Sequence, residues 1–119
     1  MLVIRDVQLA ALAEPRLGAL RAWLHPHLRK HFGERLLETD DAALKDFIDA
    51  SVARAMEHGV RSSQGIVRFA HLRVLFGEGF EALPWAAETL SRTDIPTPES
   101  KIEILYGNAR RALTAKGGA

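Results

Sequence analysis

Apolar side chains recur every three or four residues along most of this chain, a spacing typical of helices that bury one face. A helix is predicted to begin at Pro15, because proline is tolerated at the first position, where its missing N–H would have no partner anyway. A shorter helix, capped by Asp6, is predicted before it. Pro26 lies within the apolar series and predicts either a kink or a break, and the sequence leaves both open. The apolar positions of the second helix are Leu17, Leu20, Leu24, Leu28 and Phe32.

The middle of the chain predicts two more helices. The first begins at residues 39–40 and ends at Gly59, since glycine readily takes the left-handed conformation that terminates helices. The second runs over residues 64–76 with Ser62 or Ser63 as its cap. Apolar residues cover most of its circumference, which is typical of a buried central helix. The apolar face of the first is formed by Leu44, Phe47, Ile48, Val52, Ala55 and Met56.

The last third predicts a short helix that begins at Pro84 and a final helix capped by Thr97. The final helix has Ile102, Leu105, Tyr106, Ala109 and Leu113 on its apolar face. No segment alternates as a β-strand does. The sequence therefore predicts an all-α fold, a compact bundle or orthogonal packing of five to six helices. We expect a single domain over residues 1–115 and a disordered tail over residues 116–119.

The composition argues against several kinds of function. Sixteen Lys and Arg against fifteen Asp and Glu leave the chain near neutral, without the basic excess of most nucleic-acid binders. The absence of cysteine excludes disulfides, thiolate zinc sites and cysteine nucleophiles. No apolar run approaches the ~20 residues of a transmembrane helix, and Asp6 and Gln8 interrupt a weak signal-like stretch. We therefore expect a cytoplasmic protein that binds neither membranes nor nucleic acid.

Three histidines cluster in the first third of the chain. His27 and His31 stand four residues apart and could reach one metal ion from an unbroken helix. The intervening Leu28-Arg29-Lys30 lacks the glutamate of the zinc-protease motif and brings two cations that repel a divalent ion. We expect a solvated helical face without metal. The sequence leaves open whether His25, His27 and His31 bind a metal or sense pH.

No set of residues forms a catalytic motif. His71 lies among apolar neighbours without a matched nucleophile. The acidic pairs Asp40–Asp41 and Asp46–Asp49 are typical of a helix start and a solvated face. Gly77-Glu78-Gly79 lacks the following glycine and lysine of a phosphate-binding loop. We therefore predict a protein that is not an enzyme and uses no cofactor or small-molecule ligand.

A helix-turn-helix that binds DNA is one alternative. The helix ending at His58 and the helix starting at Gln64 have suitable lengths for this motif. Its DNA contacts would be Arg68, His71 and Arg73. These residues lie amid apolar ones, which suits a core helix better than a recognition helix, and a near-neutral chain lacks strong attraction for phosphates.

Binding to another protein is the function that the residues favour. Trp23 and Trp85 lie in or beside short or broken elements, where full burial in so small a domain is difficult. Aromatic residues concentrate at the centres of interfaces, so we predict a partner-binding patch at Phe80, Leu83, Pro84 and Trp85. An equally favoured interpretation is that Trp85 closes the core, and both hold if one edge of its ring stays exposed.

Packing and turn residues also form a series that spans most of the chain. The series comprises Ile4-Arg5-Asp6, His31-Phe32, His58-Gly59, Ser62-Ser63, Val67, Arg68-Phe69, Leu72, Phe76-Gly77, Gly79-Phe80-Glu81, Leu83-Pro84-Trp85-Ala86, Lys101-Ile102, Leu105-Tyr106 and Ala109. It resembles small helical proteins encoded beside effectors and adaptor chaperones of the type VI secretion system in Gram-negative bacteria. The resemblance implies a co-chaperone or accessory adaptor that binds an effector or its adaptor chaperone and helps to load the effector. It implies no catalytic residues, and Pro15 and Pro26 depart from the pattern.

An immunity protein for a neighbouring toxin is the main alternative, since such proteins are also small and encoded beside toxins. Immunity proteins often present an acidic or otherwise complementary surface to a toxin. Because charges of both signs are distributed over this whole chain, the adaptor role is favoured.

Overall fold

The regular structure of this chain is helical throughout the part that the computed structural model describes, residues 2–117, with side chains described for residues 16–112. No strand occurs between residues 2 and 117, so the predicted all-α fold is confirmed. Two short 3-10 helices occupy Gly33–Leu36 and Phe80–Ala82. The α-helices are α1 (Leu2–His31), α2 (Asp41–Glu57), α3 (Ser63–Phe76), α4 (Pro84–Ser91) and α5 (Pro98–Gly117).

The chain divides into two compact units, Met1–Asp49 and Ala50–Ala119, and the boundary falls within α2. The single domain predicted over residues 1–115 stays a prediction. At the C-terminal end, α5 is helical to Gly117, two residues into the predicted tail. Residues 118–119 lie outside the described residues.

The prediction of two helices before residue 33 is wrong, because α1 is one continuous helix through Pro15 and Pro26. A proline inside a helix removes one backbone hydrogen bond and costs about 3 kcal/mol. Packing offsets this cost, since Leu24 and Leu28 on either side of the exposed Pro26 are fully buried. Asp6 is therefore inside α1 and does not cap its start, and its side chain lies outside the described residues.

In the first unit, Arg29 stabilises the segment that connects α1 to α2. Its guanidinium donates hydrogen bonds to the carbonyl oxygens of Leu36 at 2.9 Å and Thr39 at 2.6 Å, and to the Asp41 carboxylate at 2.9 Å. Asp40 caps α2 by accepting the backbone N–H of Ala43 at 2.8 Å, as its predicted position implied. Among the described side chains of this unit, residues 16–49, the buried apolar ones are Leu17, Leu24, Leu28, Leu36, Leu44 and Ile48.

In the second unit, α3 packs against α5, and α4 packs against α5 as well. Ser62 is the cap of α3, because its hydroxyl accepts the backbone N–H of Gly65 at 3.0 Å. Thr97 caps α5 in the same way through the N–H of Ser100. Among the side chains described between residues 50 and 112, the largest buried ones are Phe69, Phe80, Ile66, Leu72, Ile102, Leu105, Val52 and Val60.

The turn between α2 and α3 lies against the start of α5. The Glu99 carboxylate accepts the backbone N–H groups of Arg61 and Ser62 at 2.7 and 3.3 Å, and these bonds lower the pKa of Glu99. Gly59 has a φ of 84°, which a side chain would strain, and a Cβ there would lie 2.9 Å from Pro98. The sequence predicted a left-handed glycine at this position, and the structure confirms it.

Candidate functional site

Phe80 does not belong to an exposed surface. Its ring is fully buried and meets Phe69 edge to face, with ring centroids 5.1 Å apart. The short helix Phe80–Ala82 packs on α3 and turns this side chain inward. The structure therefore corrects the prediction that Phe80 lies on the partner-binding patch, and we assign it to the core.

The neighbouring Glu81 holds this short helix to the end of α2. Its side chain is only 9% exposed, and its carboxylate accepts a hydrogen bond from Nε of Arg54 at 3.0 Å, while Nη2 of Arg54 lies 3.0 Å from the same oxygen. The imidazole of His58 lies 3.8 Å from the same oxygen. These contacts connect the short helix that precedes α4 to the end of α2.

Trp85 and its two preceding residues differ in how much surface they offer. Pro84 is exposed at the first position of α4, Leu83 is half-buried before it, and Trp85 is half-buried one residue later. The Trp85 ring meets Phe76 at the end of α3, with centroids 5.2 Å apart and an angle of 70° between the planes. Part of the ring packs inward and part remains exposed, so Trp85 contributes to the core, and its role in partner binding stays a prediction.

An apolar groove of about 290 Å³ opens beside this ring pair. It lies between the end of α3, the start of α4 and the later turns of α5, and its lining consists of Phe76, Trp85, Asn108, Ala109 and Ala112. Because two of the α5 residues are alanines, α5 leaves space opposite the rings. We call this feature the Trp85 groove.

The polar rim of the Trp85 groove comes from α5. Arg111 donates a hydrogen bond from its guanidinium to the side-chain oxygen of Asn108. The sequence assigned Phe76 and Ala109 to apolar helix faces and did not single out Asn108 or Ala112. Two alanines three residues apart in α5, Ala109 and Ala112, were the only available sequence signal for this cavity.

The helix-turn-helix alternative requires Arg68, His71 and Arg73 to be exposed on one face of α3, and they are not arranged in this way. Arg73 is buried and donates a hydrogen bond to the Ser51 hydroxyl at 2.6 Å, and burial lowers the pKa of Arg73. Arg68 lies over the ring of Tyr106, 5.4 Å from its centroid. His71 Nδ1 is 3.1 Å from the Tyr106 hydroxyl. These side chains hold α3 within the second unit and present no basic face for a DNA groove.

The histidine cluster divides between two sides of α1. His25 lies 3.7 Å from the Asp41 carboxylate. His27 stacks on Trp23, with centroids 4.3 Å apart and planes 21° apart, and on its other side lies 4.5 Å from His31. Desolvation by partial burial, and then the positive charge of His31 and Lys30, lower the pKa of His27.

The described side chains, residues 16–112, include no group of three or more His, Cys, Asp or Glu residues placed to hold one metal ion. Between residues 2 and 117, no helix has the length and apolar character needed to cross a membrane. Comparison of the chain with protein-family models, curated proteins and solved structures finds no match.

Proposed function

We propose that this protein is a non-enzymatic adaptor or co-chaperone that receives an apolar side chain of a partner protein in the Trp85 groove. The observation that carries the proposal is the half-buried Trp85, which stands edge-to-face with Phe76 at the mouth of an apolar cavity. A groove of this lining favours apolar groups over charged or metal-bound substrates.

Two features make the groove suitable for binding. Its ring pair is held in place before binding, because Phe76 ends one helix and Trp85 lies in the first turn of another, so little freedom is lost when a partner docks. Burial of apolar surface contributes about 25 cal/mol per Å². Half-buried tryptophans are therefore frequent anchors of interfaces.

The kind of partner is supported by the sequence resemblance. Leu83-Pro84-Trp85-Ala86 belongs to the series that resembles proteins of the type VI secretion system, and it also forms the start of α4 beside the groove. The proposed partner is accordingly an effector or its adaptor chaperone. Binding would take place in the cytoplasm of the producing cell, before the effector is loaded.

Co-purification with the products of adjacent effector or adaptor genes tests this proposal. The wild-type chain should capture one of them, and Trp85→Glu should abolish capture while the far-ultraviolet circular dichroism stays helical. Thermal melts of both proteins must accompany the capture, because Trp85 also packs on Phe76. Capture that survives in Trp85→Glu would remove the groove from the interface. Protection of cells from a neighbouring toxin, without any secretion apparatus, would instead indicate an immunity protein.

A further inference from the structure

Ile104 extends the apolar surface of the Trp85 groove along α5. It is 38% exposed, whereas Leu105, the next residue, is fully buried. Residues four apart share a face of a helix, so Ile104 lies on the same side of α5 as Asn108, which lines the groove. The two positions are about 6 Å apart along the helix axis. We call the Trp85 groove and Ile104 together the α5 face.

The α5 face thus offers two apolar contact points, the groove and Ile104, one helical turn apart. Apolar side chains at positions i and i+4 of an α-helix have the same spacing. An extended segment places residues i and i+2 at a similar distance, but such segments bind mainly through backbone hydrogen bonds to the edge of a sheet. The α5 face is built from side chains of helices. A helix bonds its own backbone groups internally, so this surface favours a helical occupant.

Charged residues of opposite sign flank the α5 face. Arg111 is exposed and reaches the groove, since its guanidinium donates a hydrogen bond to Asn108 in the lining. A guanidinium has five N–H donors, so this bond leaves donors for a carboxylate. Glu88 is exposed on α4, one turn after Trp85. A partner on this face therefore meets positive charge from α5 and negative charge from α4.

We propose that the α5 face binds an amphipathic α-helix of the partner protein, an inference that rests on the proposed function. Two apolar side chains of that helix, four residues apart, pack in the Trp85 groove and on Ile104. An acidic residue beside the first of them pairs with Arg111, and a basic residue on the other flank of the helix faces Glu88. Charge-assisted hydrogen bonds between a guanidinium and a carboxylate are stronger than neutral ones, so they fix the direction of the bound helix.

Fluorescence anisotropy of labelled synthetic peptides tests the proposal without any effector. The probe is an alanine-based helical peptide with two leucines four residues apart and a glutamate beside one of them. A second peptide of the same composition has its leucines two residues apart, on opposite faces of the helix. The full chain should bind the first peptide at least about tenfold more tightly, because only one leucine of the second can reach the α5 face.

The result of this assay is separable from that of the effector capture. Equal affinity for the two peptides, including no binding of either, would overturn the proposal, as would tighter binding of the second. In each of these cases, capture of an effector that depends on Trp85 would still support the adaptor account.

Ile104→Glu tests the second contact point. This change places a charge where a leucine of the probe packs and should weaken binding of the first peptide at least about tenfold. The matched control is Leu37→Glu, the same kind of change at a residue of the first unit that is 80% exposed. Thermal melts of both variants accompany the titrations, and equal losses of affinity in two folded variants would contradict the placement.

Arg111→Glu tests the direction of the bound helix. It should weaken binding of the glutamate peptide at least about threefold and tighten binding of a peptide with lysine in place of the glutamate. The matched control is Arg110→Glu, the same charge change at the preceding residue. Arg110 is exposed and, by helical spacing, lies on the other side of α5 from Asn108. Equal responses of the two variants would show a general charge effect and contradict the proposed pairing.

Sedimentation velocity of the protein alone distinguishes a partner helix from a second copy of this chain. The wild-type protein should sediment as a monomer, which leaves the α5 face available to a partner. A dimer that Ile104→Glu dissociates would assign the face to a second copy and overturn the proposal.

Discussion

The ring of Trp85 stands edge-to-face with the ring of Phe76, at a centroid distance of 5.2 Å. The pair joins the first turn of α4 to the last residue of α3 and forms one wall of an apolar groove whose opposite wall is α5. Such aromatic pairs contribute about 0.5–1.5 kcal/mol beyond the area they bury. The contact therefore stabilises the second unit and, at the same time, leaves part of an indole available to a partner.

Removal of the Arg29 side chain should destabilise the protein. Arg29→Ala deletes hydrogen bonds to two backbone carbonyl oxygens and one carboxylate in the connection between α1 and α2. Since the side chain is about one-third exposed, we expect a loss of about 1–2 kcal/mol in the free energy of unfolding, measured by urea denaturation. Arg35→Ala, at an exposed position nearby, should have an effect near zero, and equal losses in the two variants would contradict this role.

Two glycine-to-alanine substitutions should change stability in opposite directions. A Cβ at Gly65 would lie 2.6 Å from Val60 and 2.8 Å from Ser62, so Gly65→Ala should destabilise the start of α3. A Cβ at Gly107, inside α5, meets no atom within 4 Å. Gly107→Ala should therefore stabilise the protein by about 0.5–1 kcal/mol through helix propensity. Thermal melts of both variants check this prediction. An increased melting temperature in Gly65→Ala would contradict the close contact of Gly65 with Val60 and Ser62.

The two carboxylates that Arg54 contacts should differ in importance. Arg54 pairs with Glu81, which is 9% exposed, and with Glu57, which is 61% exposed. Glu81→Gln removes the charge of the less exposed carboxylate and should lower the free energy of unfolding by about 1 kcal/mol, because Arg54 is 47% exposed and water screens part of the pair. Glu57→Gln should cost less than about 0.5 kcal/mol, because exposed i,i+3 pairs are screened by water. Chemical denaturation of both variants measures the difference, and equal losses would argue against Glu81 as the fixed point of the short helix.

His27 should make stability depend on pH. Its pKa in the folded state lies below the ordinary value of 6.5, so the unfolded chain binds the proton more readily. The contribution of His27 is therefore complete above pH 6.5 and is lost as the pH falls through the lowered folded-state pKa. His27→Gln should flatten the dependence of unfolding free energy on pH between about pH 8 and about pH 5. An unchanged slope in the variant would contradict the proposed cause.

The fold could be predicted from the sequence wherever its causes are local. The apolar spacing around Leu44 and Ile48 and the caps Ser62 and Thr97 act within one or two turns, and α2, α3 and α5 were predicted from them. The continuity of α1 through Pro26 could not be predicted, because burial of neighbouring leucines by distant segments decides whether a proline breaks a helix.

The candidate site could be predicted only in part for a related reason. Trp85 was found because its residue type and its position beside a proline are visible in the sequence. The burial of Phe80 involves its edge-to-face contact with Phe69, 11 residues earlier, which the sequence alone does not reveal. Asn108 and Ala112 carry no chemical signal, and they become groove residues only when α5 packs beside α3 and α4.

The most direct test of the adaptor account is a calorimetric titration of the captured effector or adaptor chaperone against two arginine variants. Ala112→Arg places a long charged side chain at the exposed edge of the Trp85 groove, and Ala87→Arg makes the same change on an exposed position of α4 that does not line it. The account predicts that Ala112→Arg weakens binding at least about tenfold, about 1.4 kcal/mol, while Ala87→Arg binds as the wild type does and both melt normally. Wild-type affinity in a folded Ala112→Arg protein would contradict it.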